Sequence, residues 1–497
     1  MKVLLLSAEV EPFAKTGGLA DVAASLPQAL TDLGHQVAVI MPGYRRALYA
    51  GRPIRDAGVR VRVPIGHRSL DGRILASSLP GCDVPVYLVD YAPYFDRTGI
   101  YGADGVDYPD NCERFVFFQR AALEAIRMLD FQPEVIHCND WETGLVPAYL
   151  EEVYRPQPGS IFRRVGTVMT IHNLAYQGSF WHLDMPLTGL DWSLFTPERL
   201  EAYGRLNFLK AGLVYSDLIS TVSPTYAREI QAPEGGRGLD GLLRARKADL
   251  FGIVNGIDVT AWNPAIDPHL PARYTVKTWP AGKAANKSHL QRLAGLPERP
   301  AVPLMAAISR LDPQKGWDLV VDAAGDLLRR DLQMVILGTG EPRYEMALQQ
   351  LAGEFPENLR VFLEFSQPLA HQLEAAADLF LMPSLYEPCG LNQLYSLAYG
   401  TVPIVRATGG LVDTVVDATD ETLRDRTATG ISFLDPTANA LIRAVDRGLA
   451  LYKSPDAWPP LVSSGMLADW TWHRSAEQYA RLYEAVRLRR SAARPLD

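Results

Sequence analysis

Short apolar runs, each followed by a turn and a helix-like segment, recur along most of the chain, and this repetition limits the fold more than any other feature. The first instance spans residues 3–41. Residues 3–6 are an unbroken apolar run and 8–18 are loop. Residues 19–33 carry Leu19, Val22, Ala23, Leu26, Leu30 and Leu33 at helical spacing, Gly34 ends the helix, and 37–41 are apolar again. Strands that do not alternate are covered on both faces, so this unit reads as β-α-β opening a parallel sheet. Runs at 135–138, 165–171, 218–222 and 250–254 extend the pattern into a first doubly wound domain. Between 52 and 90 the period changes to two, in VRVRVPIG and VPVYLVDY, which predicts antiparallel strands inserted on that sheet.

A stretch rich in Pro, Trp and Asp follows Asn255-Gly256-Ile257-Asp258, and alternation then restarts with runs at 304–308, 335–337, 361–365, 379–382 and 402–405. The expected architecture is α/β, with Rossmann-like doubly wound domains over 1–254 and 255–472. A C-terminal helix over 473–497 is expected to pack back on the N-terminal domain. Open α/β sheets bind ligands at the carboxyl ends of their strands, which predicts a site in a deep cleft between two facing domains. The basic stretch RLRRSAAR at 487–494 reads as a solvated helix end.

A chain of 497 residues accommodates two large domains, and 49 Lys+Arg against 57 Asp+Glu leave a net charge of −8. With 47% hydrophobic and 21% charged residues, this balance argues against disorder and against a dedicated polyanion binder, so no nucleic-acid partner is expected. The opening MKVLLLSAEVEP has too short an apolar run for a signal peptide. No stretch approaches the ~20 apolar residues of a membrane span, so a cytoplasmic protein with no membrane partner is expected. Cys82, Cys112, Cys138 and Cys389 lie far apart without C-x-x-C or Cys/His ligand spacing, as reduced thiols do.

The loops after the strands carry the chemistry. In Lys15-Thr16-Gly17-Gly18-Leu19-Ala20-Asp21 the adjacent glycines let backbone amides approach an anion, the helix start adds partial positive charge, and Lys15 adds a full one. Thr408-Gly409-Gly410-Leu411-Val412-Asp413 repeats the Thr-Gly-Gly-Leu-x-Asp pattern. The two turns read either as paired phosphate or sugar clamps or as plain strand-to-helix turns. Arg310 and Lys315, in SRLDPQKG after the 304–308 run, match a diphosphate. Glu387, in SLYEPCGL, can bind sugar hydroxyls beside helix-start amides or simply favour the helix dipole. His172 and Asn173 end a further strand. The chain has no Asp-x-Asp and no clustered His, Cys and carboxylate set, so no metal or other cofactor is expected and cations and amides would hold the leaving-group charge.

Together and in this order, these segments resemble the bacterial glycogen synthases and plant starch synthases, GT5-like retaining glucosyltransferases of the GT-B fold. The likeness includes KTGGLADV at 15–22, YFDRTGIYG at 94–102, NDWETGLVPAYL at 139–150, TIHNLAYQG at 170–178, NGIDVTAWNP at 255–264, SRLDPQKG at 309–316, EPCGLNQLYSLAYGT at 387–401 and RATGGLVDTV at 406–415. The resemblance implies metal-independent transfer of glucose from ADP-glucose to the non-reducing end of an α-1,4-glucan, with the anomer retained. It implies that Lys15, Arg310 and Lys315 hold the diphosphate beside Gly17 and Gly18. It also implies that His172 and Glu387 orient the glucose near Asp21, Asn173 and Asn255, and that Cys389, Gly390, Leu391 and Asn392 line the glucose-phosphate pocket. Phe365 would pack on adenine. Trp141, Tyr94, Phe95 and Tyr101 would be acceptor-side sugar platforms, a role that ordinary half-buried core rivals for any one of them. The chain departs from the family pattern at Asn139, where His is frequent, at Gly235, where an aromatic is usual, and at Leu385 and Tyr386, where Arg and Phe are common. A sugar-nucleotide epimerase and a catalytically inactive glucan-binding protein are the rival readings.

Overall fold

The computed structural model describes residues 1–103 and 105–492. The chain divides into two compact units: Met1–Gly256 together with the chain from Trp472 onward, and Ile257–Thr471 between them.

The first unit is built on a sheet whose strands run in the order Leu250–Gly252, Leu218–Thr221, Gly166–Ile171, Val135–Asn139, Lys2–Leu6, Gln36–Pro42, Pro85–Asp90, Arg68–Ser78 and Arg55–Ile65. Lys2–Leu6 lies between Gln36–Pro42 and Val135–Asn139, parallel to both. The order of winding therefore reverses beside this strand, and the loops after Lys2–Leu6, Val135–Asn139 and Gly166–Ile171 emerge side by side. The helix Gly18–Asp32 starts where the glycine pair predicts it.

The period-two region differs from expectation. It holds a strand, Arg68–Ser78, that the sequence reading passed over, and Arg55–Ile65 and Pro85–Asp90 both pair antiparallel with it. Pro85–Asp90 then runs parallel to Gln36–Pro42, so VPVYLVDY joins the parallel sheet and only Arg68–Ser78 runs against it. The cause is geometric: a chain that leaves the sheet and returns through one hairpin comes back in its original direction.

The helix Trp472–Ala492 lies on this first unit. Tyr483 hydroxyl meets His137 Nδ1 at 2.8 Å, Ser475 Oγ donates to the Val254 carbonyl at 2.6 Å, and Val486 packs so closely on Gly166 that a Cβ there would lie 2.0 Å from Val486 Cγ1. Its end is exposed at Leu488, Arg489, Ser491 and Ala492, as expected, but its arginines are also paired. Arg490 is paired with Glu151 and Asp217, each at 2.7 Å, and Arg489 with Asp249 at 2.7 Å. Acidic side chains of the sheet domain thus hold the basic tail; residues 493 and 494 of that stretch lie outside the described residues.

In the second unit the strands run Leu359–Phe362, Gln333–Leu337, Leu304–Ile308, Leu379–Met382, Val402–Arg406 and Ile431–Phe433, with each neighbouring pair parallel. Numbered along the chain this is 3-2-1-4-5-6, the Rossmann order, with its switch point between Leu304–Ile308 and Leu379–Met382. The last strand, only three residues long, left no signal in the apolar pattern. No helix among the described residues is long and apolar enough to cross a membrane.

Candidate active site

In the second unit the candidate side chains gather at the switch point. The loop after Leu304–Ile308 carries Arg310 and Lys315, and the loop after Leu379–Met382 carries Glu387. One backbone and one side-chain bond tie the two loops together: Leu385 N–H donates to the Gln314 carbonyl at 2.8 Å, and Gln314 Nε2 donates to the Tyr386 carbonyl at 3.3 Å. Gly316, at φ +76°, is essential to that approach, because a Cβ there would stand 2.2 Å from the Pro383 carbonyl oxygen. Lys315 Nζ consequently reaches Glu387 Oε2 at 2.7 Å, and Ser384 Oγ donates to the same oxygen at 3.0 Å. The Glu387 side chain is 8% exposed and that of Lys315 18%. Arg310 is 59% exposed, with its guanidinium 3.3 Å from Asp312, whose carboxylate also accepts the Lys315 N–H.

Cys389 is buried, and Gly390, at φ +74°, sits against the Gln393 side chain. Asn392 opens the helix Asn392–Tyr399 and donates from Nδ2 to the Ile308 carbonyl at 2.6 Å, so its amide ties this helix to the first strand. Phe365 stands 92% exposed in the loop beyond Leu359–Phe362.

The second glycine pair corrects one expectation. Gly410 N–H donates to the carbonyl oxygens of Glu387 and Pro388 at 3.0 and 3.1 Å. A Cβ on Gly409 would lie 2.0 Å from the Glu387 oxygen, and one on Gly410 would lie 2.2 Å from that of Cys389. The turn braces the Glu387 loop from behind, and its Gly410 amide is committed to protein carbonyls instead of being open to an anion.

In the first unit the Lys15 turn is held by a residue the sequence reading missed. Glu9, buried after the first strand, accepts from Thr16 N–H, from Thr16 Oγ1 at 2.6 Å, from Gly17 N–H at 3.1 Å and from the Tyr101 hydroxyl at 2.7 Å. Two of the amides expected to meet an anion are therefore turned toward a protein carboxylate, which leaves the helix-start amides of Gly18 and Leu19 and the Lys15 ammonium for that purpose. Lys15 Nζ is paired with Asp21 Oδ1 at 2.6 Å, with both side chains partly exposed.

His172 follows the strand Gly166–Ile171 and meets the end of its neighbour. Its Nε2 lies 2.9 Å from Asn139 Oδ1, and its backbone N–H donates to Asp140 Oδ1 at 2.7 Å. Burial pushes the imidazole down to about 3, so it is neutral at ordinary pH. Asp140 is a second missed residue. It is nine-tenths buried, sits at φ +54°, and is pushed up to about 7 by burial, opposed by the amides of His172 and Asn173. Beside it the buried carboxyl of Glu142 is raised well above the usual range by burial and by Asp140, and its Oε2 has no partner among the described residues. The signals were present in the Asn139-Asp140-Trp141 motif and in the acidic residue closing the first strand, yet nothing local says that they converge. Asn173 Oδ1 accepts from the Ala175 N–H at 3.0 Å, and buried Asn255 keeps an Oδ1 without a partner among the described residues.

The aromatic platforms need a second correction. Phe95 is 1% exposed and packs edge-on to Tyr44, while Tyr94 is 6% exposed and bonded to Glu113. Both rings belong to the core and offer no face to a sugar. Tyr101 and Trp141 are only partly buried, 6.3 Å apart between ring centres, and Trp141 also packs on Phe115 at 4.8 Å. Gly235, where the family usually has an aromatic, approaches the Glu229 carbonyl so closely that a Cβ would lie 2.4 Å from its oxygen.

Comparison with known proteins identifies the family and the fold. Residues 2–245 match the starch synthase catalytic domain, and residues 294–459 match the glycosyl transferases group 1 domain. The chain is 50% identical over 489 residues to a glycogen synthase of Anaeromyxobacter sp., covering 98% of this chain and 99% of that protein. It is 47% identical over 499 residues to a glycogen synthase of Rhodopirellula baltica, with 97% of each chain covered. The catalytic domain of starch synthase IV from Arabidopsis thaliana, solved with ADP and acarbose, superimposes with a TM-score of 0.90 at 34% identity, over 98% of this chain and 99% of that one. A sucrose-phosphate synthase from Thermosynechococcus elongatus, at 19% identity and a TM-score of 0.59, shares the fold. With identity at this level across nearly the full length of both sequences, the chain belongs to the bacterial glycogen synthase and plant starch synthase family of glycosyltransferases, with the two-domain α/β architecture called GT-B.

Proposed function

We propose that this glycosyltransferase moves glucose from ADP-glucose to the non-reducing 4-hydroxyl of an α-1,4-glucan, retaining the anomer and using no metal. The observation that carries the reading is the Lys315–Glu387 pair at the switch point of a Rossmann sheet, where a nucleotide diphosphate binds in this architecture. The ADP held by the starch synthase IV relative supports the same donor class.

In this reading Lys15, Arg310 and Lys315 bind the diphosphate with the helix-start amides of Gly18 and Leu19, while Gly17, its amide held by Glu9, leaves the space in front of the turn open. They stabilise the negative charge that grows on the departing ADP, as preorganised cations do in a site sheltered from water. Glu387 and neutral His172 orient the glucose, with Asp21, Asn173 and Asn255 beside it; Cys389, Gly390, Leu391 and Asn392 line its phosphate end, and Phe365 covers the adenine. Trp141 and Tyr101 remain as acceptor-side platforms. The C1–O bond to phosphate breaks with its electron pair leaving on ADP, the acceptor O4 attacks C1 from the same face, and its proton passes to a donor phosphate oxygen. No paired nucleophile of the kind retaining hydrolases use enters this scheme. Four cysteines, none of them in a disulfide, fit a cytoplasmic location.

The test is ADP release from ADP-glucose with glycogen as acceptor, with UDP-glucose run in parallel. Lys315→Ala and Arg310→Ala should each lower kcat by about 10²-fold or more, the size expected for loss of one transition-state charge contact. Undiminished turnover in both removes the phosphate assignment. EDTA should leave the rate unchanged, and activity that vanishes with EDTA and returns with a divalent ion overturns the metal-free scheme.

A further inference from the structure

We propose that Asn139 is a positioning residue for glucosyl transfer, locking His172 in the tautomer that carries its proton on Nε2, so that Nδ1 meets a sugar hydroxyl as an acceptor. The inference rests on the reading that His172 contacts the donor sugar.

Asn139 ends its strand in full burial and all of its amide is committed. Nδ2 donates to the Leu6 carbonyl at 3.1 Å and weakly to the His137 carbonyl at 3.4 Å, two groups that can only accept. The amide orientation is thereby fixed, and Oδ1 faces His172 Nε2 at 2.9 Å. An amide oxygen cannot donate, so the proton of that bond belongs to the imidazole. Nδ1 is left with its lone pair, since burial keeps the ring from taking a second proton. An imidazole at position 139 could stand on either side of the same bond and would leave the tautomer open, whereas an amide braced by two carbonyls cannot.

The groups around His172 point the same way. Asp140 takes its main-chain N–H and that of Asn173, with Glu9 and Glu142 close enough to act on Asp140. His137, one strand away, is itself neutral and engaged by Thr170 Oγ1 at 2.5 Å and by Tyr483 from the C-terminal helix. From the strand Leu218–Thr221 come the neutral hydroxyls of Ser220 and Thr221. Among the described residues, Asn139 Oδ1 is thus the one hydrogen-bond partner of the His172 ring nitrogens.

The experiment uses the full chain labelled with ¹⁵N-histidine. Long-range ¹H–¹⁵N spectra, with the His172 signals assigned from their loss in His172→Gln, should show a protonated Nε2 and an unprotonated Nδ1. Asn139→Leu should turn this into a tautomer mixture and lower kcat at least 30-fold, with KM for glycogen changed less than twofold. Asn139→Asp, which still accepts, should keep the tautomer and recover turnover at neutral and higher pH. Its carboxylate should also raise the imidazole pKa, adding an acid limb to the kcat profile that the parent lacks. A protonated Nδ1 in the parent, or an unchanged tautomer in Asn139→Leu, overturns the proposal. Full turnover in Asn139→Leu while His172→Gln is inactive overturns it too. Full turnover in His172→Gln overturns instead the reading that His172 contacts the donor.

Discussion

The two Thr-Gly-Gly-Leu-x-Asp turns look alike in sequence and are opposites in structure. At Gly17 the backbone is extended, φ −150°, and a Cβ would meet nothing within 4 Å. At Gly409 the backbone stands at φ +47°, ψ −132°, and a Cβ would collide with the Glu387 carbonyl. The first glycine is there to leave space in front of it, and the second to let two backbones touch. Their supports differ as well. The first turn is gripped by the carboxylate of Glu9, a side chain, while the second is joined to the Glu387 loop by main-chain hydrogen bonds. The same six-residue pattern can therefore leave its front open or brace a neighbouring loop, and only the surroundings decide which.

This contrast can be broken by substitution. The largest effect is expected from Gly409→Ala, which combines a backbone conformation costly for any side chain with a clash against the Glu387 loop. Stability should fall by about 2–4 kcal/mol in denaturant titration and kcat should fall with it. Retention of both would mean that the second turn is not a brace. Glu9→Gln replaces a charged acceptor by a neutral one and leaves the first turn loosely held, at a cost of about 1.5–3 kcal/mol by the same titration. Its effect should fall on KM for ADP-glucose more than on kcat.

A smaller and distinctive effect concerns pH. Burial raises the Asp140 carboxyl from the usual 3.8 to about 7, so in that interval the folded chain holds a proton that the unfolded chain has lost. Its contribution to stability is complete below the unfolded value and is lost as pH rises through about 7. Asp140→Asn should flatten the stability-against-pH curve between these limits, and an unchanged curve would show that Asp140 is ionised throughout. Last, Gly17→Ala should leave stability within about 0.5 kcal/mol of the parent, because the new methyl meets no protein atom. On the proposed reading of the Lys15 turn as part of the donor site, the methyl would enter the donor's space and raise KM for ADP-glucose several-fold. Equal stability losses at Gly17 and Gly409 would erase the distinction between the turns.

The strands that were legible in the sequence are those buried on both faces. The runs at 304–308 and 379–382 coincide with Leu304–Ile308 and Leu379–Met382, because an unbroken apolar run admits only one set of limits. Gln333–Leu337 begins two residues before the run read at 335–337: Met334 extends that run by one, and Gln333 is buried through bonds to Gln291 Nε2 and the Pro297 carbonyl, which composition cannot show. Arg68–Ser78 was passed over because Arg68, Asp71, Gly72 and Arg73 blur its alternation. At the site, Lys15, Arg310, Lys315 and Glu387 stand out as charges in strand-end loops. The links of Glu9 to Thr16 and Tyr101 and of Asn139 to His172 do not, because the folding of loops makes the first and strand register the second. Asn139 and Thr170 are paired across neighbouring parallel strands, and that pairing is what brings residue 172 to residue 139. Phe95 shows the converse error, an aromatic beside a loop motif that the core absorbs.

The position of the helix Trp472–Ala492 bears on how the protein is made. It completes the first unit, where Tyr479, Tyr483 and Val486 are buried in the core, yet it is synthesised after all of Ile257–Thr471. A nascent chain thus presents the ribosome-side environment with an N-terminal sheet lacking one of its covering helices for the whole time that the second unit takes to emerge. The second unit, continuous in sequence and crossed by a bridge between Ile257 and Thr471 at its two ends, can close on itself first. The first unit is therefore the last to be finished, and termination just after Thr471 leaves a complete second unit tethered to a first unit that lacks its covering helix.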